Sequence, residues 1–477
     1  MTRRTVRTQK ADITALRSGL AQIEKELDVP SDFPPEVVAA AEQVATSPAM
    51  PDLDHTDLPL VTIDPAGSMD LDQAFHIERR GDRYRVYYAI ADVAAFVEPG
   101  GPVDVEAHER GETLYGPDSR VPLHPSVLSE GAASLLPDQV RPALLWTVDL
   151  APDGEGTDVD VRRARVRSRS RHDYVTVQKQ LDEGTADDVF VLLQQVGELR
   201  NKREQIRGGI SLPLPEQEIV DEDGGWGLHY RAALPAEDWN AQLSLLTGMG
   251  AAHLMMYGEV GLLRTLPPAD SGAIAHLHRT AAALRIEWPA EQTYQDFIRS
   301  LDPRRPTHAA MVDACATLLR GAGYVAFEGA LPEQPEHAGL ASEYAHVTAP
   351  LRRLGDRYAG EICVALCAGE PVPEWVRAAL HDLPKQMADA DRKAHRFDRA
   401  VLDLVEAGVL APRVGQSFSG VITDVDGKDH RQGFVTIQAP AVEAPVSGSS
   451  ELPLGQPVTV TLMEADVAKR SVRFGLA

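Results

Sequence analysis

The sequence predicts an α+β fold followed by a small, separate β-barrel. Between about residues 57 and 171 apolar residues alternate in short runs, as strands do, whereas from 175 to 409 they recur at helical spacing. Strands early and helices late are typical of an α+β domain and not of a doubly wound sheet, in which the two alternate. After Pro412, five short apolar runs separated by Gly, Asp and Pro turns suit an all-β barrel of the OB type.

Length and composition limit the class of protein. The 477 residues exceed one ordinary domain, and 43% hydrophobic with 25% charged residues is a globular composition. No apolar run reaches the length of a membrane span, and the basic N-terminus lacks the apolar core of a signal peptide. The three cysteines show neither disulfide nor zinc spacing. We therefore expect a cytoplasmic protein without a membrane partner, and we expect a monomer.

Residues 1–55 form a predicted helical N-terminal segment. Apolar residues recur at helical spacing over 11–27, prolines interrupt the pattern at 30–35, and 36–45 is a second helical stretch. These helices would form either a small module of the helix-turn-helix kind or a pair that packs on the main domain. We favour packing on the main domain.

Residues 56–411 form the predicted main domain. Residues 84–91 alternate and then become fully apolar, as a strand that enters the centre of a sheet does. Strands over 144–150 and 159–171 follow, joined by a turn at Pro152-Asp-Gly154. The later predicted helices are 175–207, 236–260, 271–287, 307–322, 354–368, 374–383 and 385–409. The barrel, residues 412–477, has predicted strands at 415–425, 433–438, 442–446, 458–464 and 471–475.

Three carboxylates lie within nine residues, at Asp64, Asp70 and Asp72. Pro65 and Gly67 bend the backbone after the first carboxylate, and the other two are two residues apart, so that on an extended segment they point to one side. Converging carboxylates suit a hard divalent cation such as Mg²⁺. The alternative is an ordinary surface turn, for which Asp, Gly, Pro and Ser are common residues.

Arginine occupies every second position of one predicted strand, although the net charge of the chain is −24. We call these residues the arginine ladder: Arg163, Arg165, Arg167, Arg169 and Arg171. On a strand they face one way and repel each other unless an anion lies along them. A phosphate backbone would supply that anion, since each guanidinium can fork onto phosphate oxygens. The alternative is a solvated strand with acidic neighbours.

A second basic pair follows Pro350, which precedes a predicted helix. Arg352 and Arg353 would lie in its first turn, where the helix dipole disfavours cations. A bound phosphate would reverse that penalty, because helix N-termini bind anions. The alternative is that both arginines reach solvent or an acidic neighbour.

Several motifs resemble, in order, those of the RNB exoribonucleases (RNase II and RNase R). Asp64-Pro-x4-Asp70-x-Asp72-x-Ala74 is similar to the metal motif of that family, and Tyr88-Ala-Ile-Ala-Asp-Val93 to the strand after it. The further matching blocks are residues 120–125, Leu135-Leu136, Arg141-Pro142, 168–174 and 337–353. The last 65 residues or so resemble the C-terminal OB domain of the family, of the ribosomal S-one type. The resemblance covers about residues 55–477.

The resemblance implies an RNB catalytic domain over residues 56–411 and a magnesium-dependent hydrolase, with Mn²⁺ as a possible substitute. Such an enzyme digests single-stranded RNA processively from the 3′ end and releases nucleoside 5′-monophosphates. The implied metal-site residues are Asp64, Asp70, Asp72 and Gln73, and the implied catalytic residues are Asp70, Asp72 and Arg352. Tyr115 would stack on the terminal base and Tyr174 would lie near the terminal sugar. Arg353 and the arginine ladder would contact RNA as well.

Departures from the family pattern keep alternatives open. Gln73 stands where the family has a fourth carboxylate, and it offers a carbonyl oxygen without a charge. The chain could therefore be a catalytically inactive, RNA-binding relative. Asn240-Ala241 replaces an acidic pair, which puts selectivity for ribose in question, and Trp226 is only a candidate for the second stacking aromatic. Residues 1–55 stand in place of two cold-shock domains. A metal hydrolase for small phosphoesters would account for neither the ladder nor the barrel.

Overall fold

Two closed five-stranded β-barrels, connected by helices, form the framework of the protein. The computed structural model describes residues 13–30, 32–117, 119–212, 216–221, 226–302 and 304–476. In that part of the chain, no helix is both long and apolar enough to cross a bilayer. Strands dominate the first third of the main domain and helices the rest, which confirms the α+β prediction.

The strands follow the predicted order, with additional short pairs. Those of the main domain are β1 (Leu60–Asp64), β2 (Gln73–Arg80), β3 (Arg83–Ala91), β4 (Leu114–Tyr115), β5 (Arg120–Val121), β6 (Val140–Leu150), β7 (Gly156–Asp173), β8 (Glu216–Asp221), β9 (Trp226–Arg231), β10 (Val260–Thr265), β11 (Gly323–Glu328), β12 (Glu336–His337) and β13 (Ser342–Glu343). Those of the C-terminal barrel are β14 (Ser417–Val425), β15 (Gln432–Gln438), β16 (Ala441–Ser447), β17 (Pro457–Asp466) and β18 (Ser471–Leu476).

The helices include all the predicted ones, one of them divided, and others that were not predicted. They are α1 (Ile13–Glu26), α2 (Pro35–Ala45), α3 (Pro102–Arg110), α4 (Tyr174–Glu183), α5 (Asp188–Arg207), α6 (Pro235–Tyr257), α7 (Ser271–Ala283), α8 (Tyr294–Ser300), α9 (Pro306–Cys315), α10 (Leu354–Ala368), α11 (Glu374–Leu380) and α12 (Leu383–Leu410). Helices α3 and α8 were not predicted. The single helix predicted over 175–207 is two helices. Gly184, at φ +68°, caps α4 in the left-handed conformation and ends it.

The first barrel has the strand order β1-β2-β3-β6-β7 and closes where β1 pairs in parallel with β7. One face of its strands carries fully buried large side chains, among them Trp146, Tyr88 and Phe75, which share a cluster with helices α5, α6 and α10. The parallel register sets Asp64, the last residue of β1, beside Asp173 at the end of β7. Closure of the barrel therefore brings the first carboxylate of the acidic loop next to Tyr174, which begins α4.

The two N-terminal helices pack on different parts of the main domain. Leu16, Leu20 and Ile23 of α1 are buried in an apolar cluster with α12, and a Cβ atom added to Gly19 would lie 2.5 Å from Leu404. Val37 of α2 belongs to another cluster, together with residues of α3 and β3. This arrangement supports the second alternative, a pair of helices that packs on the main domain.

The C-terminal barrel has the strand order β14-β15-β16-β18-β17, with Ile422, Val435 and Phe474 buried inside it. The prediction of five strands is confirmed, and each observed strand lies within two residues of the predicted bounds. Helix α12 leads into β14, and its apolar face shares one buried cluster with α1, β9 and the barrel. The barrel is therefore anchored to the main domain through α12.

A buried carboxyl group lies at this anchor. Glu406 of α12 is 3% exposed and accepts a hydrogen bond from Gln217 Nε2 at 2.8 Å, and the same nitrogen donates to the Ala441 carbonyl oxygen of the barrel. Burial raises the pKa of Glu406 from its ordinary value of 4.5 to about 7. The neutral form is therefore favoured by folding, and its stabilising contribution, complete below pH 4.5, is lost as the pH rises through about 7.

We expect Glu406→Gln to stabilise the protein at pH 8 by roughly 2 kcal/mol and to leave its stability at pH 4.5 nearly unchanged. Glutamine stays neutral and still accepts from Gln217. The measurement is the free energy of unfolding by urea at both pH values. Glu374→Gln is the control, because the Glu374 side chain is 88% exposed and the substitution should change stability equally at both. A gain of the same size at both pH values would contradict the assignment.

Candidate active site

The acidic loop between β1 and β2 faces a cavity of about 410 Å³. The loop turns at Gly67, whose φ of +88° lies in the left-handed region that glycine tolerates. Asp64 and Asp70 both line the cavity. The other lining residues are Pro65, Ser68, Tyr115, Gly116, Pro117, Ser119, Arg120 and Arg352. The structure therefore brings together two predicted metal-site carboxylates, the predicted catalytic arginine and the predicted stacking tyrosine.

Asp72 is buried, 3% exposed, and holds the segment that carries Arg352. Its Oδ2 atom accepts from Arg352 Nε at 2.8 Å and its Oδ1 atom from the Leu351 backbone N–H at 2.8 Å. Burial raises the pKa of Asp72 to about 6, and both hydrogen bonds oppose that rise. An aspartate predicted only as a metal and catalytic residue thus also fixes the position of the arginine.

The three carboxylates influence each other electrostatically. Burial and then the charge of Asp72 raise the pKa of Asp64 to about 7, with a smaller contribution from Asp70. The charge of Arg352 opposes this rise. Like charges held this close disfavour full ionisation, and a bound cation would relieve the repulsion.

Asp70 has a partner that the sequence analysis did not include in the site. Arg120 Nη1 donates to Asp70 Oδ1 at 2.7 Å, and the same guanidinium pairs with Glu130. Arg120 lies opposite Tyr115 in the β4–β5 hairpin. Arg120 belongs to one of the sequence blocks that match the family, and this was the signal that could have identified it. Its contact with Asp70 spans 50 positions in the chain, so no local sequence pattern reveals it.

Tyr115 projects into the cavity from the β4–β5 hairpin and is 47% exposed. The neighbouring hairpin residues Leu114 and Val121 are buried in the cluster that contains α1 and α12. Burial of its hydroxyl group raises the pKa of Tyr115, and the charge of the adjacent Arg352 opposes that shift. An exposed aromatic ring on a well-packed hairpin is suited to stack on a planar ligand.

Arg352 was predicted to lie in the first turn of a helix. In the structure it lies just before that helix, α10. Helix α10 begins at Leu354, because the preceding residue, Arg353, is extended and forms an isolated β-bridge with Glu112. The Thr113 N–H donates to the Arg352 carbonyl oxygen at 3.0 Å, and the Leu354 N–H to that of Gly111 at 3.0 Å. The Arg352 side chain is 42% exposed and lines the cavity.

Arg353, a predicted RNA-binding residue, pairs with a buried carboxylate in the structure, and its role in RNA binding stays a prediction. Its Nε and Nη2 atoms donate to the two carboxylate oxygens of Asp356 at 2.9 and 2.7 Å. Asp356 is buried in the first turn of α10, where a carboxylate is favoured. Arg353 thus reaches an acidic neighbour through a bidentate pair, which is one of the two alternatives given for it.

The arginine ladder on β7 also has protein partners. The pairs are Arg163 with Asp92 and Glu361, Arg165 with Asp54, Arg169 with the Thr56 carbonyl oxygen, and Arg171 with the Ser68 carbonyl oxygen. Neighbouring strands and loops thus supply oxygens that offset repulsion along the ladder, which supports the alternative of acidic neighbours. Arg171 is exposed beside the acidic loop, and a role in RNA binding stays a prediction for all five arginines.

The contacts of Tyr174 with Asn240 and its proximity to Asp64 place it beside the site. Its hydroxyl accepts from Asn240 Nδ2 at 2.9 Å, and burial together with the charge of Asp64 raises the Tyr174 pKa. Asn240, which replaces an expected acidic residue, is thus placed beside the predicted sugar contact. Trp226, the other candidate aromatic, is only 6% exposed in the cluster under the C-terminal barrel, so it offers no open face for stacking.

The predicted metal ligand Gln73 has both ends of its amide engaged by protein groups. Its Nε2 donates to the Thr348 carbonyl oxygen at 2.7 Å, and its Oε1 accepts from the Tyr88 hydroxyl. The geometry does not favour the prediction that this oxygen binds a metal, because the hydroxyls of Tyr88 and Ser244 both donate to it.

The carboxylates suit Mg²⁺ as hard oxygen donors. Within the described ranges, no group of three Asp, Glu, His or Cys side chains is placed to hold a metal ion. Mg²⁺ does not require one, since it keeps several waters and is commonly held by one or two carboxylates together with substrate phosphates. Asp64 and Asp70, which line one cavity, supply such a pair.

Comparison with protein families decides the relationship. The family model of the RNB domain matches residues 53–367. The chain belongs to the RNB family. A second model, the C-terminal S1 domain of RNase II-type exonucleases, matches residues 416–477, which correspond to the C-terminal barrel.

Ribonuclease R of Escherichia coli (strain K12) is 28% identical over 420 residues, which cover 82% of this chain and 51% of the relative. The chain thus spans about half the length of that curated relative.

Solved structures share the fold of this RNB protein. Mycoplasma genitalium RNase R in complex with ribose-methylated single-stranded RNA matches with a TM-score of 0.85 at 20% identity, over 97% of this chain and 78% of the other. Yeast Ssd1, described as a pseudonuclease, matches with a TM-score of 0.71 at 16% identity, over 90% of this chain and 55% of the other. The RNB fold is thus found in proteins described both as nucleases and as pseudonucleases.

Proposed function

We propose that this RNB protein is a metal-dependent exoribonuclease that hydrolyses single-stranded RNA processively from its 3′ end and releases nucleoside 5′-monophosphates. The observation that carries the proposal is the cavity itself. The carboxylates of Asp64 and Asp70, the side chain of Arg352 and the half-exposed ring of Tyr115 all line it. Acidic, cationic and aromatic groups on one cavity are the parts that cleavage of a stacked nucleotide requires.

Phosphodiester hydrolysis develops negative charge on the phosphate oxygens. Arg352, held by Asp72 before substrate arrives, places a fixed cation where that charge develops. Asp64 and Asp70 would hold the magnesium ion, with Asp72 behind them, and the bound ion would supply an activated water and neutralise charge on the phosphate. Mn²⁺, which takes the same oxygen ligands, is expected to substitute.

Recognition of the strand uses features common to all nucleotides. The ring of Tyr115 offers a stacking surface that any base can use. Tyr174, hydrogen-bonded to Asn240, lies beside Asp64 and would contact the sugar of the terminal nucleotide. The C-terminal barrel adds an OB-type surface for the upstream part of the strand. Contacts of this kind bind single-stranded RNA of any sequence and give little preference for a particular one.

The proposal is tested with 5′-labelled poly(A) and an excess of protein. With Mg²⁺ we expect a ladder of products shortened from the 3′ end, and with EDTA in place of Mg²⁺ we expect intact RNA that still binds the protein. Addition of excess Mg²⁺ or Mn²⁺ after EDTA should restore cleavage. Uncut RNA at all metal concentrations would overturn the proposal.

The second candidate function is RNA binding without hydrolysis, which Gln73 favours because a fourth carboxylate is missing. Binding of poly(A) without shortening, with or without metal, would establish it. A dinucleotide serves as the comparison substrate. Cleavage of the dinucleotide as fast as the long strand would instead point to a hydrolase for small phosphoesters.

A further inference from the structure

Gln73 joins three elements at the edge of the site. It begins β2 directly after Asp72, and its Nε2 donates to the Thr348 carbonyl oxygen at 2.7 Å. Its Oε1 accepts from the Tyr88 hydroxyl of β3, with Ser244 Oγ of α6 at 3.4 Å. Tyr88 is fully buried and Thr348 is 3% exposed, so water cannot replace these partners at low cost.

Thr348 lies in the segment that carries Arg352. The backbone of that segment is held at two points by adjacent residues of the acidic loop, Gln73 at the Thr348 carbonyl oxygen and Asp72 at the Leu351 N–H. The first contact needs a donor, because a carbonyl oxygen only accepts. A carboxylate at position 73 would set oxygen against oxygen, and a metal bound to Gln73 Oε1 would compete with the hydroxyls of Tyr88 and Ser244, which both donate to that oxygen.

We propose that Gln73 is a positioning residue for Arg352 and not a metal ligand. By holding the Thr348 carbonyl oxygen, its amide fixes the start of the segment whose other end presents the guanidinium to the scissile phosphate. The inference rests on the proposed nuclease function and assigns this role to the residue at which the chain departs from the carboxylate pattern.

The test uses two variants of the full chain. Gln73→Met keeps length and volume and removes all three hydrogen bonds of the amide, and Gln73→Glu keeps length and replaces the donor by an acceptor. We expect the single-turnover rate of poly(A) cleavage to fall about 10-fold in each, which corresponds to one lost hydrogen bond. The dissociation constant for poly(A), measured in EDTA, should stay within twofold of the parent value. The same holds for the dissociation constant for Mn²⁺, measured from the electron paramagnetic resonance signal of the free ion. Weaker Mn²⁺ binding by Gln73→Met, or tighter binding and faster cleavage by Gln73→Glu, would overturn the proposal.

A double-mutant cycle shows whether the effect passes through the arginine. If Gln73 acts by placing Arg352, Arg352→Ala should reduce the cleavage rate less in the Gln73→Met background than in the parent. Equal effects in both backgrounds would refute the coupling. A conservative variant, Tyr88→Phe, retains the bond to Thr348 and should lose less activity than Gln73→Met.

Amide hydrogen exchange provides a readout that is independent of cleavage. Exchange of the Leu351 N–H should accelerate in Gln73→Met and remain near the parent rate in Tyr88→Phe, since only the first variant releases the segment. Unchanged exchange in Gln73→Met would overturn the positioning role even if the parent protein cleaved no RNA. A parent protein that cleaves no RNA, with accelerated exchange in the variant, would count against the proposed function alone.

Discussion

Arg352→Ala should slow cleavage of single-stranded RNA at least about 100-fold, the usual cost of removing one preorganised group that stabilises transition-state charge. Its guanidinium lies at the cavity, and Asp72 and the paired backbone of residues 111–113 hold it there. The loss should appear in the single-turnover rate at saturating RNA, while the dissociation constant for poly(A) in EDTA rises less than fivefold. Arg352→Lys should recover little, because lysine lacks the Nε donor that Asp72 orients.

The matched control for this prediction is Arg162→Ala. The Arg162 side chain is 67% exposed on β7 and pairs only with Asp160 among the contacts described for it, so its removal should leave the rate within twofold. If Arg352→Ala instead weakened binding with an unchanged rate at saturation, the arginine would be a binding residue and its catalytic role would be refuted.

Periodicity predicted most of the fold because both barrels and the long helices bury one face. The strands of the C-terminal barrel lie within two residues of the prediction. What periodicity could not reveal was local backbone geometry. The left-handed Gly184 divides the helix predicted over 175–207, and the extended pairing of residues 111–113 with 352–354 delays the start of α10 to Leu354.

The candidate site was predictable where its residues are close in sequence and unpredictable where partners are distant. Asp64 and Asp70 share one short loop, and both line the cavity as expected. The protein partners of the arginine ladder could not be predicted, for the opposite reason. Arg163 pairs with Asp92 and Glu361, which are 71 and 198 positions away, and a single sequence shows the charge on a strand but not the oxygens folded against it.

Asp72→Asn is the second large prediction. We expect cleavage of poly(A) to fall about 1,000-fold or more, because the substitution removes negative charge from the metal site and weakens the anchor of Arg352 in one step. Asparagine can still accept from the Leu351 N–H through Oδ1, so the segment should fold and the dissociation constant for RNA should stay within threefold. Asp153→Asn, at an exposed turn, is the control and should retain full activity. A rate near that of the parent would refute the assignment of Asp72.

Combining the substitutions at Asp72 and Arg352 is informative, because Asp72 contacts Arg352 and also raises the pKa of Asp64 through its charge. If Asp72 acted only by orienting the arginine, Asp72→Asn would have no further effect in an Arg352→Ala background. We expect a further loss of at least about 10-fold in the double variant, since the charge that Asp72 contributes beside Asp64 is independent of the guanidinium. Single-turnover time courses extended over hours measure this difference. A double variant as fast as Arg352→Ala would show that Asp72 is a positioning residue alone and would leave Asp64 and Asp70 as the carboxylates that hold the metal.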